Sequence, residues 1–151
     1  MKYDKVAAHL LKKFYKGDKM LIDTSDHENI LICFDNVMVV SFPEKLFPFN
    51  SDIFETSGLH RMTEYVENEC LEARLTNHII SFERRKFYEI MDENNRLTHI
   101  DARYLDLFGF NEPLFYIHST NPYMPVLVYE TFGGASRRHW QAAIMPARIE
   151  V

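Results

Sequence analysis

The chain offers almost no sulfur chemistry. Its two cysteines, Cys33 and Cys70, stand far apart and form no C-x-x-C pair. That excludes a zinc ribbon or a thioredoxin-like motif, and reduced thiols in a cytoplasmic protein are the expectation. No apolar run reaches membrane-spanning length, so no membrane partner is expected. Residues 1–15 carry too much charge for a secretory leader. Walker, G-x-G-x-x-G and G-x-S-x-G patterns are all missing, which removes the best-marked routes to nucleotide binding and nucleophilic catalysis. The seven histidines, His9, His27, His60, His78, His99, His118 and His139, include no H-x-x-x-H or H-x-H pair. Any metal site would have to be assembled across the fold, and scattered surface histidines are the commoner outcome. The expectation is therefore no enzyme, no cofactor and no metal. Positive charge is also short. A net charge of −5 argues against a whole surface built for nucleic acid and leaves only a local basic stripe.

What the chain does have is apolar bulk. Apolar residues make up 46% and charged residues 26%, enough for a packed core, and 151 residues suit one domain spanning 1–151. Lys2 to Lys16 carries the clearest helical period: Tyr3, Val6, Ala7, Leu10, Leu11 and Phe14 form one apolar face. Gly17 marks its stop, and Lys12, Lys13 and Lys16 suit the negative end of the helix dipole. Lys5, Lys12 and Lys16 fall on a further face. Such a stripe reads either as a solvated surface or as a strip facing phosphates, where clustered cations release counterions.

Three strand-like runs follow, Lys19 to Thr24, Asn29 to Phe34 and Asn36 to Phe42, with turn chemistry at Ser25-Asp26-His27 and Asp35-Asn36. Residues 43–70 form an irregular insertion. Its large apolar residues, Leu46, Phe47, Phe49, Ile53 and Phe54, read either as a connection tucked onto the core or as a docking patch. Its last part, Leu59 to Cys70, fits helical spacing moderately. Strand signals return at 71–76, 78–83 and 86–91, with turns at Asn77 and Arg84-Arg85. A further strand at Leu97 to Ile100 leads into a short helix, Asp101 to Phe108. Asp101 is placed to cap it and Gly109 to stop it. Helix followed by strands thus occurs twice, which predicts an α+β domain with two helices packed on one side of antiparallel sheet.

The last strand pair carries the most specific signal. Pro125-Val126-Leu127-Val128 and the apolar run ending at Ile144-Met145-Pro146-Ala147-Arg148 flank a polar connector with two glycines, a hairpin pattern. Pro146 cannot donate to a ladder and marks a strand end. Before this pair stands Ile100-Asp101-Ala102-Arg103-Tyr104-Leu105. In this order the elements resemble the final domain of the bacterial sliding clamp family, the β subunit of DNA polymerase III. The match covers about the last third of the chain well and the N-terminal helix and meander in outline.

The resemblance implies a DNA-clamp-like fold and a non-enzymatic role in DNA replication or repair as a processivity factor. The family carries three such domains per chain and closes a ring from two chains, whereas this chain has length for one, so a ring would require self-association. In the family the terminal segment lines an apolar cleft that accepts a Gln-Leu-x-Leu-Phe type peptide from replication proteins. The matching positions here are Ala143, Met145, Pro146, Ala147 and Arg148, with Ala147 smaller than the family's usual methionine. Double-stranded DNA would face Lys5, Lys12 and Lys16. Tyr104-Leu105-Asp106-Leu107-Phe108 itself nearly spells the family's target peptide, although Leu105 and Phe108 also have the spacing of a buried helix face. The alternative function is a protein-interaction or inhibitor domain that uses the fold without DNA.

Overall fold

The structure, a computed structural model, describes residues 1–26, 28–35, 37–59, 69–132, 135–136 and 140–147. Its described residues form an α+β assembly in which two α-helices pack with one large sheet. The first helix, α1 (Tyr3–Tyr15), buries Val6 and Leu10 completely. Its end is a Schellman turn: Gly17 at φ +76 donates to the Phe14 carbonyl at 3.0 Å, and Asp18 to the Lys13 carbonyl at 3.1 Å. The apolar face is narrower than the periodicity predicts, because Leu11 and Phe14 remain 43% and 42% exposed.

Next come β1 (Leu21–Asp23), β2 (Asn29–Phe34) and β3 (Met38–Pro43), an antiparallel meander. The insertion folds as two 3-10 turns, Glu44–Leu46 and Ser51–Ile53, and a two-residue edge strand β4 (Glu55–Thr56) parallel to β1. Phe47, Phe49 and Phe54 meet ring to ring at 5.6–6.1 Å, and Phe47 also packs on Phe42. These three rings hold the insertion on the core, while Leu46 and Ile53 stay exposed. The helix expected over 59–70 falls mostly outside the described residues.

The second half contains β5 (Cys70–Phe82), β6 (Arg85–Asp92) and β7 (Leu97–Asp101), then α2 (Ala102–Phe108), β8 (Pro113–His118), β9 (Val126–Phe132), β10 (Ala135–Ser136) and β11 (Ala142–Ile144). Two sequence expectations are corrected here. The runs 71–76 and 78–83 are one strand, and Asn77 at φ +66 marks a bulge in it, where the register jumps between Leu75 and Ile79. A bulge absorbs the turn-type residue without ending the ladder. The hairpin that follows turns on Glu83 and Arg84, both at positive φ, one residue earlier than Arg84-Arg85. The capping expectations hold for α2: Asp101 accepts from the Arg103 amide at 2.9 Å, and Gly109 closes the helix at φ +59.

The strand order is β4-β1-β2-β3-β11-β9-β8-β5-β6-β7, with β10 paired to β9. The two halves join where β11 inserts between β3 and β9, pairing Ala142 with both Val40 and Val128. Beyond β11 the chain crosses to β7, where the Ala147 amide donates to the His99 carbonyl at 2.8 Å. The path β11-β9-β8-β5-β6-β7 therefore returns to the segment that began it.

Alternation along the strands sorts the side chains. Ile30, Ile32 and Phe34 join Val6 and Leu10 of α1 and Tyr104, Leu105 and Phe108 of α2 in the main core. Leu31, Val39, Leu127, Ala143 and Trp140 form a smaller cluster on the opposite face. Both helices thus serve one face of the sheet. Phe34 sits at their junction, 6.1 Å from Tyr104 and 5.9 Å from Phe108 in edge-on contacts. Full burial of such a ring contributes about 1.5–3 kcal/mol, and each aromatic pair adds roughly 0.5–1.5 kcal/mol. Among the described residues, no helix is long and apolar enough to cross a membrane.

Candidate functional site

A cleft of about 730 Å³ opens where the two halves meet. The end of α1 supplies Lys13, and the β2–β3 turn supplies Asp35 and Val37. The β5–β6 hairpin brings Phe82, Glu83, Arg85 and Phe87. The β7–α2 junction adds Asp101, Arg103 and Tyr104, and Ile144, Met145, Pro146 and Ala147 run along the base. The terminal segment is held from both sides. Met145 donates to the Val37 carbonyl at 2.8 Å, on the β3 side, and Ala147 donates to His99, on the β7 side. Pro146 has no amide hydrogen and is the one residue between these anchors that needs no partner for it. The result is a strap across the two halves with an apolar surface facing the cleft.

At one end of the cleft a polar network centres on Asp35. Its turn conformation, φ +56, is one that aspartate tolerates better than most residues. The carboxylate pairs with Lys13, accepts from the Tyr104 hydroxyl at 2.8 Å and lies 3.7 Å from His9 Nε2. Arg103 Nη2 donates to the Tyr104 oxygen at 2.8 Å, and its guanidinium lies 4.6 Å over the Tyr104 ring, a cation–π arrangement. Burial pushes the Asp35 carboxyl up, but the hydrogen bonds from Lys13 and Tyr104 and the charges of Lys13 and His9 together hold it below its ordinary range. The Asp35 hydrogen bond raises Lys13. Burial, reinforced by Asp35, raises Tyr104 far above an ordinary phenol. Burial lowers His9, whose ring packs against Phe34 and Phe108. Lys13, Asp35 and Tyr104 are each driven toward the charge state that suits their partners, whereas burial outweighs the pull of Asp35 on His9. The network fastens α1, the β2–β3 turn and α2 together.

The residues expected at the terminal site divide three ways. Met145, 38% exposed, lines the cleft together with the half-buried Pro146 and Ala147. Ala143 does not reach it. Its side chain is buried with Leu31, Val39, Leu127 and Trp140 on the other face, because alternation in β11 points it away from Ile144. Arg148 lies outside the described residues. Lys5, Lys12 and Lys16 are exposed on one face of α1, away from the cleft; the neighbouring Lys13 is the one drawn into it. The segment that mimics a target peptide is core: Tyr104, Leu105 and Phe108 are buried in α2.

Sequence reasoning read Asp35 as turn chemistry and Arg85 as part of a turn, and passed over Lys13, Phe82, Phe87 and Arg103 as cleft residues. Only the register that brings β3, β7 and the hairpin together marks them. Glu89 and Asp92 do not form a carboxylate pair. Glu89 accepts from Thr76 at 2.9 Å and lies 3.3 Å from both His78 and His99, whereas Asp92 is engaged by Arg96 at 2.8 Å. Among the described residues, no group of three His, Cys, Asp or Glu side chains is placed to hold a metal ion. No protein-family model, curated protein or solved structure matches this chain.

Proposed function

We propose that the chain is a non-enzymatic, sliding-clamp-like binding module of DNA replication or repair, acting in the cytoplasm and docking partner peptides in the cleft along Met145, Pro146 and Ala147. The observation that carries this reading is the amphipathic cleft built on the terminal strap. Val37, Phe82, Phe87, Ile144 and Met145 give it an apolar interior and charged side chains rim it, the usual make-up of a site for a short peptide. A helix followed by an antiparallel meander occurs twice, as α1-β1-β2-β3 and as α2-β8-β9-β11 with the two-residue β10 inserted before β11, which supports the clamp-like reading of the fold. Burial of a leucine and a phenylalanine provides roughly 1.5–3 kcal/mol each before ordering costs, so affinity is modest. Titration of a labelled Gln-Leu-Asp-Leu-Phe peptide tests the reading. Saturable binding that Met145→Asp abolishes, with the folded circular dichroism signal retained, is expected; Arg148→Ala weakens binding less. Absence of saturation at millimolar peptide, or equal binding by Met145→Asp, overturns it.

The exposed lysine face of α1 supports a contact with duplex DNA that is weak, sequence-independent and salt-sensitive. Charge reversal of Lys5, Lys12 and Lys16 together is expected to remove it, and a wild-type protein that binds no duplex at low salt ends that part of the reading. The interaction-domain alternative draws on a different feature of the same helix, where Leu11 and Tyr15 stand exposed. Mass by light scattering separates the two: self-assembly toward a ring favours the DNA-encircling reading, a monomer the interaction domain.

A further inference from the structure

Past the rim of the cleft, at the tip of the β5–β6 hairpin, lies a second pocket of about 260 Å³. It shares Arg85, Asp101 and Arg103 with the cleft, so the two form one continuous surface. Four cations line it, Arg84, Arg85, Lys86 and Arg103, against two carboxylates, Asp101 and Asp106. Both carboxylates are already engaged. Asp101 caps α2 and lies 3.5 Å from Arg103 Nη2, and Asp106 accepts from the Tyr88 hydroxyl at 2.5 Å. The side chains of Arg84, Arg85 and Lys86 are exposed and make no hydrogen bond or ion pair among the described residues.

The cations at the opposite end of the cleft are committed. Lys13 is held by Asp35 and Asp18, and Lys19 lies 3.4 Å from Glu55. Along this surface, unpaired positive charge therefore lies at the hairpin tip, while the apolar side chains lie on the strap and the walls beside it. A ligand lying along this surface meets apolar side chains first and free cations last.

We infer that the occupant is an extended peptide whose apolar residues fill the cleft and whose next residues are acidic, with the acidic tail lying over Arg84, Arg85 and Lys86. This rests on the reading of the cleft as a peptide site and adds the partner's charge pattern and polarity to it. A nucleic acid fits the same surface less well. Its evenly spaced phosphates would have to run along the apolar base of the cleft, where no unpaired cation meets them, whereas the peptide places its charge only at the hairpin tip.

The test uses the full chain and two labelled peptides with the same Leu-x-Leu-Phe core, one continued by glutamates and the other by glutamines, read by fluorescence anisotropy. The glutamate tail is expected to tighten binding about three- to tenfold at low salt, with the gain shrinking at high salt, as exposed charge pairs do. In the double variant Arg84→Asn, Lys86→Thr, which leaves Arg85 in place, most of that gain is expected to be lost while the glutamine peptide binds as before. Asparagine suits the positive φ at position 84 and threonine suits a strand, so the hairpin is kept. Equal affinity for the two tails, with both saturating, overturns the inference and leaves the cleft reading standing. Failure of both peptides to saturate removes the two together. A single-stranded oligonucleotide that binds more tightly than the glutamate peptide, and loses that binding in the same double variant, assigns the hairpin tip to phosphate and also overturns the inference.

Discussion

The two helix-and-strand units of this molecule are built to the same order but fastened differently. In the second unit, α2 has only seven residues, yet four of them, Ala102, Tyr104, Leu105 and Phe108, are buried, and both ends are closed by Asp101 and Gly109. In the first unit, α1 has thirteen residues, buries two completely and receives no side-chain hydrogen bond at its N-terminus. A short helix has little intrinsic stability and depends on packing and caps, whereas a longer helix can leave more of its surface free. The second unit therefore reads as the anchor of the fold and the first as its more available surface. The C-terminal half of α1 is tied to the rest by the Lys13–Asp35–Tyr104 chain, which ends on α2, and its N-cap by the Lys2 amide, which donates to the Phe108 carbonyl at 2.7 Å.

The largest effect that tests this contrast is expected from Phe108→Ala. Truncating a fully buried aromatic costs about 3–5 kcal/mol, and chemical denaturation should show the whole domain losing stability together. A loss confined to one unit would mean that the units are independent. Acid is expected to act next, through the polar tie. Burial holds His9 below its ordinary value of 6.5, so the unfolded chain takes up that proton more readily. Stability from this group is present above pH 6.5 and falls as pH drops through the folded value. Asp35, depressed from 3.8, adds a second loss in the same direction at lower pH, because its bonds to Lys13 and Tyr104 favour the carboxylate. Thermal melts of His9→Gln should lose the slope just below pH 6.5 and keep the later one. An unchanged slope would place the acid sensitivity elsewhere. The smallest effect is expected at the α2 cap: Asp101→Ala removes one acceptor and should cost about 1 kcal/mol, read as a shift in the denaturation midpoint. No shift would mean that packing alone holds α2.

The same contrast bears on how much the chain reveals before folding. Local chemistry was legible: the period of α1, the Gly17 stop, the Asp101 and Gly109 caps and the final strand pair all follow from neighbours in sequence. Asn77 misled because a turn-forming residue inside a strand looks like a strand end unless the partner's register is known. Ala143 misled for a related reason. A residue two positions from Met145 faces the same way only if the strand continues, and β11 ends at Ile144 before the strap begins. Leu11 and Phe14 have helical core spacing, but the sheet is reached only by the face centred on Val6 and Leu10. The cleft itself was the least legible, because its wall residues come from segments separated by tens of positions and only the sheet order brings them together.

The bridge from Ala147 to His99 has a consequence for solubility. β7 is the last strand of the sheet, paired with β6 on one side. On its other side it would present free amides and carbonyls, the pattern that lets one chain add to another and start an aggregate. The terminal strap covers part of that border with the molecule's own backbone. The segment that forms the base of the cleft thus also guards the sheet's margin, and a partner that pried Met145 and Pro146 loose would expose a sticky edge at the same moment.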